Sequence, residues 1–152
     1  MRYFAGSYRH KLDAKGRVSL PVAFRKALTS LGSEHIVIVP QYFGPDYHVG
    51  LSQAGHEAAI EAAERRDDID DDARHGMLDA LVADAHLLAP DEAGRIVLPR
   101  ELRQALDLKG EVLFKGLGSH FEIWKPERHD GRAATRREGG RAAPKAALRG
   151  LH

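Results

Sequence analysis

The sequence contains no cysteine, which removes disulfide staples, thiolate metal sites and cysteine nucleophiles at once. It has no apolar stretch approaching the roughly 20 residues of a membrane helix. The N-terminus turns polar by Ser7, without the apolar core of a signal peptide. These absences predict a cytoplasmic protein with no membrane partner. Nine histidines show no paired spacing with a nearby carboxylate, so no metal site is expected. Gly116 and Gly118 fall far short of a dinucleotide fingerprint. The acidic run from Asp67 to Asp72 lacks the glycine and distal glutamate of a calcium loop, and a solvated linker is the better account. No serine or threonine stands in a nucleophile context. An enzyme, a cofactor and a small-molecule substrate are therefore all unexpected.

Net charge is also nearly absent, at +1 over 152 residues, but the total hides a partition. Residues 1–30 hold seven Lys and Arg against one acidic residue, and residues 31–90 hold three against twelve. Residues 91–130 hold seven against eight, and residues 131–152 six against one. One surface can thus be strongly positive while another is negative, and binding responds to the local field. With 43% hydrophobic residues the chain is predicted to be globular.

What the sequence does contain is a repeat. At a constant offset of 78, Asp13, Gly16, Arg17, Leu20, Pro21, Arg25, Ala27 and Leu28 recur as Asp91, Gly94, Arg95, Leu98, Pro99, Arg103, Ala105 and Leu106. Gly32 and Gly110 extend the match. Asp-x-x-Gly is the chemistry of a type I turn closed by a left-handed glycine. Asp13 and Asp91 cap the turn, while Gly16 and Gly94 supply its positive φ. Arg17 to Leu20 then alternates polar and apolar, as a half-buried strand does. Pro21 sits where a helix begins, Phe24, Ala27 and Leu28 give it an apolar face, and Gly32 ends it. The second copy, through Leu102, Ala105, Leu106 and Gly110, is predicted to follow the same plan. Strands are expected at residues 8–12 and 86–90, 35–39 and 111–115, and 47–51 and 121–124. The order is β-turn-β-α-β-β in each half. Neither half is large enough for a generous core, so interdigitated halves are predicted.

The predicted organisation is a first half at 1–52, a helical, acidic linking segment at 53–82 opened by a Ser52 cap, a second half at 83–130, and a basic, disordered tail at 131–152. An inserted-looking stretch runs from Tyr42 to Asp46.

The string Tyr8, His10, Leu12, Asp13, Lys15, Gly16, Arg17, Val18, Ser19, Leu20, Pro21 resembles the opening of the MraZ family, within the AbrB-like swapped-hairpin superfamily. Asp91, Gly94, Arg95 and Ile96, with Gly116, Gly118, Phe121, Glu122, Ile123 and Trp124, resemble that family's second half. The resemblance covers about residues 3–129. It implies an α+β fold, a duplicated AbrB-like swapped-hairpin β-barrel unit with short helices in two pseudo-symmetric halves. It also implies a transcriptional regulator of the division and cell-wall gene cluster, associated with the nucleoid. The expected partners are double-stranded DNA, at repeated promoter boxes, and further copies of the chain in a ring-shaped homo-oligomer. By the same resemblance Arg17 and Arg95 are the expected DNA-contacting residues.

The residues themselves add Arg9, Lys11 and Lys15, cations on and around the first hairpin tip that can reach phosphates. Asp13 and Arg17 can also form a structural pair across the turn, with the aspartate orienting the arginine. Arg25 and Arg103 lie on helix faces, where a solvated position or a buried ion pair is expected. The tail arginines Arg132, Arg136, Arg137, Arg141 and Arg149 offer non-specific phosphate attraction or simple solvation. The alternative function is an AbrB-like protein-interaction scaffold or antitoxin-type module. A single hairpin copy and a long apolar C-terminal segment would mark it, and neither is present.

Overall fold

The computed structural model describes residues 2–40 and 46–139. The first half runs β1 (Ser7–Lys11), β2 (Arg17–Ser19), α1 (Val22–Ser30), β3 (Ile36–Pro40) and β4 (Tyr47–Leu51). Helices α2 (Gln53–Arg65) and α3 (Asp71–Leu78) follow, and α3 continues into a π-helical turn, Asp79–Ala83. The second half repeats the order as β5 (His86–Leu88), β6 (Arg95–Val97), α4 (Arg100–Ala105), β7 (Glu111–Gly116) and β8 (Phe121–Trp124). It ends in α5 (Pro126–Gly139). No helix among the described residues is long and apolar enough to cross a membrane.

The halves are joined by exchanged strands. One antiparallel sheet has the order β1-β7-β8-β4-β3-β5, and β2 pairs with β6 in a separate two-stranded ribbon. Thus β1 is hydrogen-bonded to β7 of the second half, and β5 of the second half to β3 of the first. The centre is the cross-half pair β4–β8, in which Gly50 faces Phe121. Any Cβ at Gly50 would collide with the Phe121 ring, so the absence of a side chain there is a packing requirement.

Ribbon and sheet enclose one core. Val18, Leu20, Ile96 and Leu98 descend from the ribbon onto Ile36, Ile38, Val112, Phe114, Phe121 and Ile123 of the sheet. Phe24 and Leu102 enter from the two helices. Phe24 is fully buried, with ring centroids 5.4 Å from Phe4 and 4.9 Å from Phe121. A second cluster, Val37, Val39, Leu51, Ala63 and Leu81, lies between the sheet and the α2–α3 segment. Because β3 is covered on both faces, Ile36 to Val39 read as an unbroken apolar run.

The local signals account for most boundaries. Ser52 Oγ accepts from Gly55 N at 3.0 Å and starts α2, and Asp70 accepts from Ala73 N at 2.7 Å and starts α3. Helix α1 ends as expected: Ser33 N donates to Leu28 O, and Gly32 has φ 68°. Its counterpart departs from the plan. Helix α4 stops at Ala105, and Asp107, a non-glycine with φ 53°, takes the left-handed position that ends it. Gly110 instead accepts a bond from Leu12 N at 2.9 Å, so it serves the strand of the other half rather than its own helix.

The predicted disorder of the tail from residue 131 is corrected for residues 131–139, which are helical. Helix α5 follows β8 as α2 follows β4; it has no apolar stripe, and its first turn packs through buried Pro126 and through the His129 ring edge-on to Trp124. Asp130 pairs with Arg9 of β1 at 2.6 Å, and Arg132 pairs with Asp46 at 2.7 Å. Arg136 lies on the helix. Arg141, Arg149 and the remainder of the expected tail lie outside the described residues, as do Tyr42, Phe43, Gly44 and Pro45 of the inserted-looking stretch.

Candidate nucleic-acid interface

Both Asp-x-x-Gly turns close in the predicted way. Gly16 N donates to Asp13 O at 3.0 Å, and Gly94 N donates to Asp91 O at 2.9 Å. The glycines have φ 86° and 79°. Each aspartate then gathers the turn around its carboxylate. Asp13 Oδ1 accepts from Lys15 N at 2.9 Å and from Arg17 N at 2.8 Å, while Oδ2 accepts from Arg17 Nε at 2.6 Å. Asp91 Oδ1 accepts from Ala93 N and Arg95 N, both at 2.9 Å, and Oδ2 accepts from Arg95 Nε at 3.2 Å. The backbone N–H of Arg17, followed by its side chain, holds the Asp13 carboxyl below its ordinary range. The backbone N–H of Arg95 does the same for Asp91.

The expected Asp–Arg pair is therefore present in both halves. It engages each guanidinium only through Nε. A guanidinium anchored at Nε keeps its two terminal amino groups available as a rigid, forward-facing fork.

The ribbon places the two forks together. Its register sets Arg17 opposite Val97, Val18 opposite Ile96 and Ser19 opposite Arg95. Alternation sends Val18 and Ile96 into the core and leaves Arg17, Ser19, Arg95 and Val97 exposed on one face. Arg17 and Arg95 are diagonal neighbours on that face, with roughly 7–8 Å expected between such positions. Leu98 N donates to Gly16 O at 2.8 Å and Leu20 N to Gly94 O at 2.9 Å, so the ladder runs on into each turn. The arginines thus stand on a ribbon bonded from end to end and seated on a packed core.

Lys11, Arg17 and Arg95 border one shallow depression of about 350 Å³, with Asp13, Ser19 and Gly110 beside them. Lys15 is exposed at the tip of the first turn. Arg9 is placed differently: it is exposed on β1, but its guanidinium is tied to Asp130 of α5. Arg25 and Arg103 are half-buried, and neither is in an ion pair among the described residues. Arg103 lies against Gly16, with Nε donating to Leu98 O at 3.0 Å. Arg25 lies against Gly94, with its Nε buried and without a hydrogen-bond partner among the described residues. Each helix arginine therefore packs under the turn of the opposite half. No single-half reading could show this, although their recurrence at the same offset was a signal of shared duty. Alternation along each strand puts Ser19 on the side of Arg17 and Val97 on the side of Arg95, but that the two sides form one face follows only from the β2–β6 register, which is non-local.

No group of three or more His, Asp or Glu among the described residues is arranged to hold a metal ion. A family model described as "MraZ protein, putative antitoxin-like" matches residues 81–149. The chain is 36% identical over 145 residues to a protein of Gluconobacter oxydans (strain 621H) named "Transcriptional regulator MraZ", covering 93% of this chain and 85% of that one. A protein of the same name from Gluconacetobacter diazotrophicus is 37% identical over 142 residues, covering 90% and 89%. Another, from Azorhizobium caulinodans, is 35% identical over 138 residues, covering 91% and 87%. With similarity at this level running through both turns and the ribbon between them, the chain belongs to the MraZ family.

Proposed function

We propose that the protein is a transcriptional regulator, not an enzyme, and that it binds double-stranded DNA by laying the β2–β6 ribbon into the major groove. The observation that carries this reading is the shared, exposed face of Arg17 and Arg95. The major groove is wide enough for a two-stranded ribbon. An arginine whose Nε is held by an aspartate presents its terminal amino groups to guanine O6 and N7, a bidentate contact that fixes the base. Lys11 and Lys15, beside the ribbon, supply charge for the phosphates, and Arg9 adds to that field when released from Asp130. The relatives' shared name and the charge partition of the sequence support the same reading.

One ribbon offers few base contacts, so useful affinity requires several ribbons on one duplex. A ring-shaped homo-oligomer on repeated promoter boxes meets that need through effective concentration. Under this reading the protein resides with the nucleoid, and the division and cell-wall gene cluster is its target. The test is fluorescence anisotropy on a duplex carrying the region upstream of the protein's own gene. Arg17→Ala, checked for folding by circular dichroism, is expected to weaken binding by about 10-fold to 100-fold, the worth of one good bidentate contact. Wild-type affinity in the folded Arg17→Ala protein would sink the ribbon reading.

A further inference from the structure

The ribbon is built on a two-fold plan, yet its outer face is not two-fold. The offset that carries Arg17 onto Arg95 carries Ser19 onto Val97. Ser19 is a hydroxyl, both donor and acceptor. Val97 is an apolar side chain left 55% exposed, directly opposite Arg17 in the ladder. The inward residues of the same strands do not diverge in this way, since Val18, Leu20, Ile96 and Leu98 are all apolar and buried. Within the ribbon the asymmetry falls on the exposed face.

A valine set between two arginines fits few occupants. An apolar protein surface would bury Val97 but leave the terminal amino groups of Arg17, whose guanidinium meets Asp13 through Nε, desolvated and without acceptors, at a cost of about 1–3 kcal/mol. An acidic protein surface would satisfy the arginines and leave the valine facing charge. The major groove offers both chemistries within one ribbon's width. It has acceptors on guanine and phosphate for the arginines, and the 5-methyl of thymine as the one apolar group exposed there.

Resting on the DNA-binding reading above, we infer that Val97 is a specificity-determining residue that contacts a thymine 5-methyl. The ribbon then reads two unequal half-sites: Arg95 and Val97 select a guanine next to a thymine, whereas Arg17 and Ser19 select a guanine next to a base that offers a hydrogen-bonding edge. Sites read by this protein are accordingly not palindromic within one ribbon's footprint, and they have a direction along the DNA.

The test removes the methyl and nothing else. Anisotropy titrations of the full-length protein use the upstream duplex with single thymines replaced by deoxyuridine. Wild type is expected to lose about fourfold in affinity at one thymine per ribbon footprint, the worth of one buried methyl, and to be indifferent at the others. Val97→Ser is expected to bind less tightly and to lose that sensitivity. Ser19→Val is expected to gain a second sensitive position, related to the first by the ribbon's two-fold axis. Indifference of wild type to every replacement, with Arg17→Ala still impairing binding, would overturn the inference and leave the DNA-binding reading intact. An unchanged deoxyuridine profile in Val97→Ser would also overturn it. So would a Val97→Ser protein that falls to a smaller assembly by size exclusion with its deoxyuridine sensitivity retained, which would make Val97 a contact between copies. Tight binding by Arg17→Ala would instead bring down the underlying reading.

Discussion

The turn at Asp13–Arg17 and the turn at Asp91–Arg95 share a skeleton and an exposed Asp–Arg pair, and differ in the other side chains that water touches. Their backbone bonds agree to within about 0.2 Å, and both glycines are left-handed. Each glycine accepts from a leucine of the other ribbon strand. Outside that skeleton the first turn carries Lys15, whereas the second carries Glu92 and Ala93. The strand entering the first turn is basic, whereas the strand entering the second holds Leu87, Leu88 and Ala89. Positions that must satisfy backbone bonds or fill the core are held alike in the two copies, while solvent-facing positions are free to take separate duties. The first turn carries more positive charge, and the second keeps the geometry with less.

The comparison breaks most severely at the glycines. A Cβ at Gly16 would meet the Leu98 carbonyl oxygen at 2.7 Å, backbone that cannot step aside. A Cβ at Gly94 would meet the side chain of Arg25, which can move. Positive φ alone costs about 1 kcal/mol for a residue with a side chain, and a backbone collision adds roughly 1–2 kcal/mol. Gly16→Ala is therefore expected to destabilise by about 2–3 kcal/mol and Gly94→Ala by about 1 kcal/mol, read from urea midpoints. Equal losses would mean that the two turns are equally crowded and that the packing difference is immaterial.

A smaller effect separates the charges. Lys15→Ala is expected to flatten the slope of log affinity against log salt by about one unit, the loss of one phosphate contact. Ala93→Lys is expected to steepen it by up to about one unit, giving the second turn the lysine that the first has at the matching position. Parallel salt plots for both variants and wild type would show that neither turn tip approaches a phosphate.

The smallest effect should be common to both turns. Asp13 and Asp91 have folded-state pKa values below the ordinary 3.8. Their contribution to stability is then fully present above that value and is lost as pH falls through the lower folded values. Carboxyl carbon shifts followed by NMR during acid titration should give depressed midpoints for both residues. A midpoint at or above 3.8 for one of them would mean that its turn bonds are not kept in solution.

The turns were legible in the sequence because their causes are local: an aspartate, a glycine three residues on, and an arginine beside it. So were the strands on either side and the Ser52 cap. The pairing was not, because nothing in Arg17 to Ser19 states that its partner is Arg95 to Val97, and that register is what sets Val97 opposite Arg17 and joins the two arginines on one face. Helix α5 escaped for another reason. It has no apolar period: its contacts are the His129 ring against Trp124 and surface ion pairs to Arg9 and Asp46, which leave no visible pattern. Asp107 escaped because a left-handed aspartate is indistinguishable from an ordinary one until the backbone is seen. Similarly, the recurrence of Arg25 and Arg103 was plain in the sequence, but their placement beneath the opposite turn depends on the strand exchange.

That exchange has a consequence for synthesis. Strand β1 leaves the ribosome roughly 100 residues before β7, its ladder partner, and at 5–20 residues per second the wait is on the order of 5–20 s. Until His86 to Leu88 arrive, one edge of the apolar β3 is open as well. The nascent first half is thus obliged to remain unfinished, its stickiest strand protected on one side by β4, until the second half has been translated. A ribosome that stalls inside the linking helices would release a fragment in which β1 and β2 lack their ladder partners and both edges of the β3–β4 pair are open, a natural substrate for chaperones and proteases.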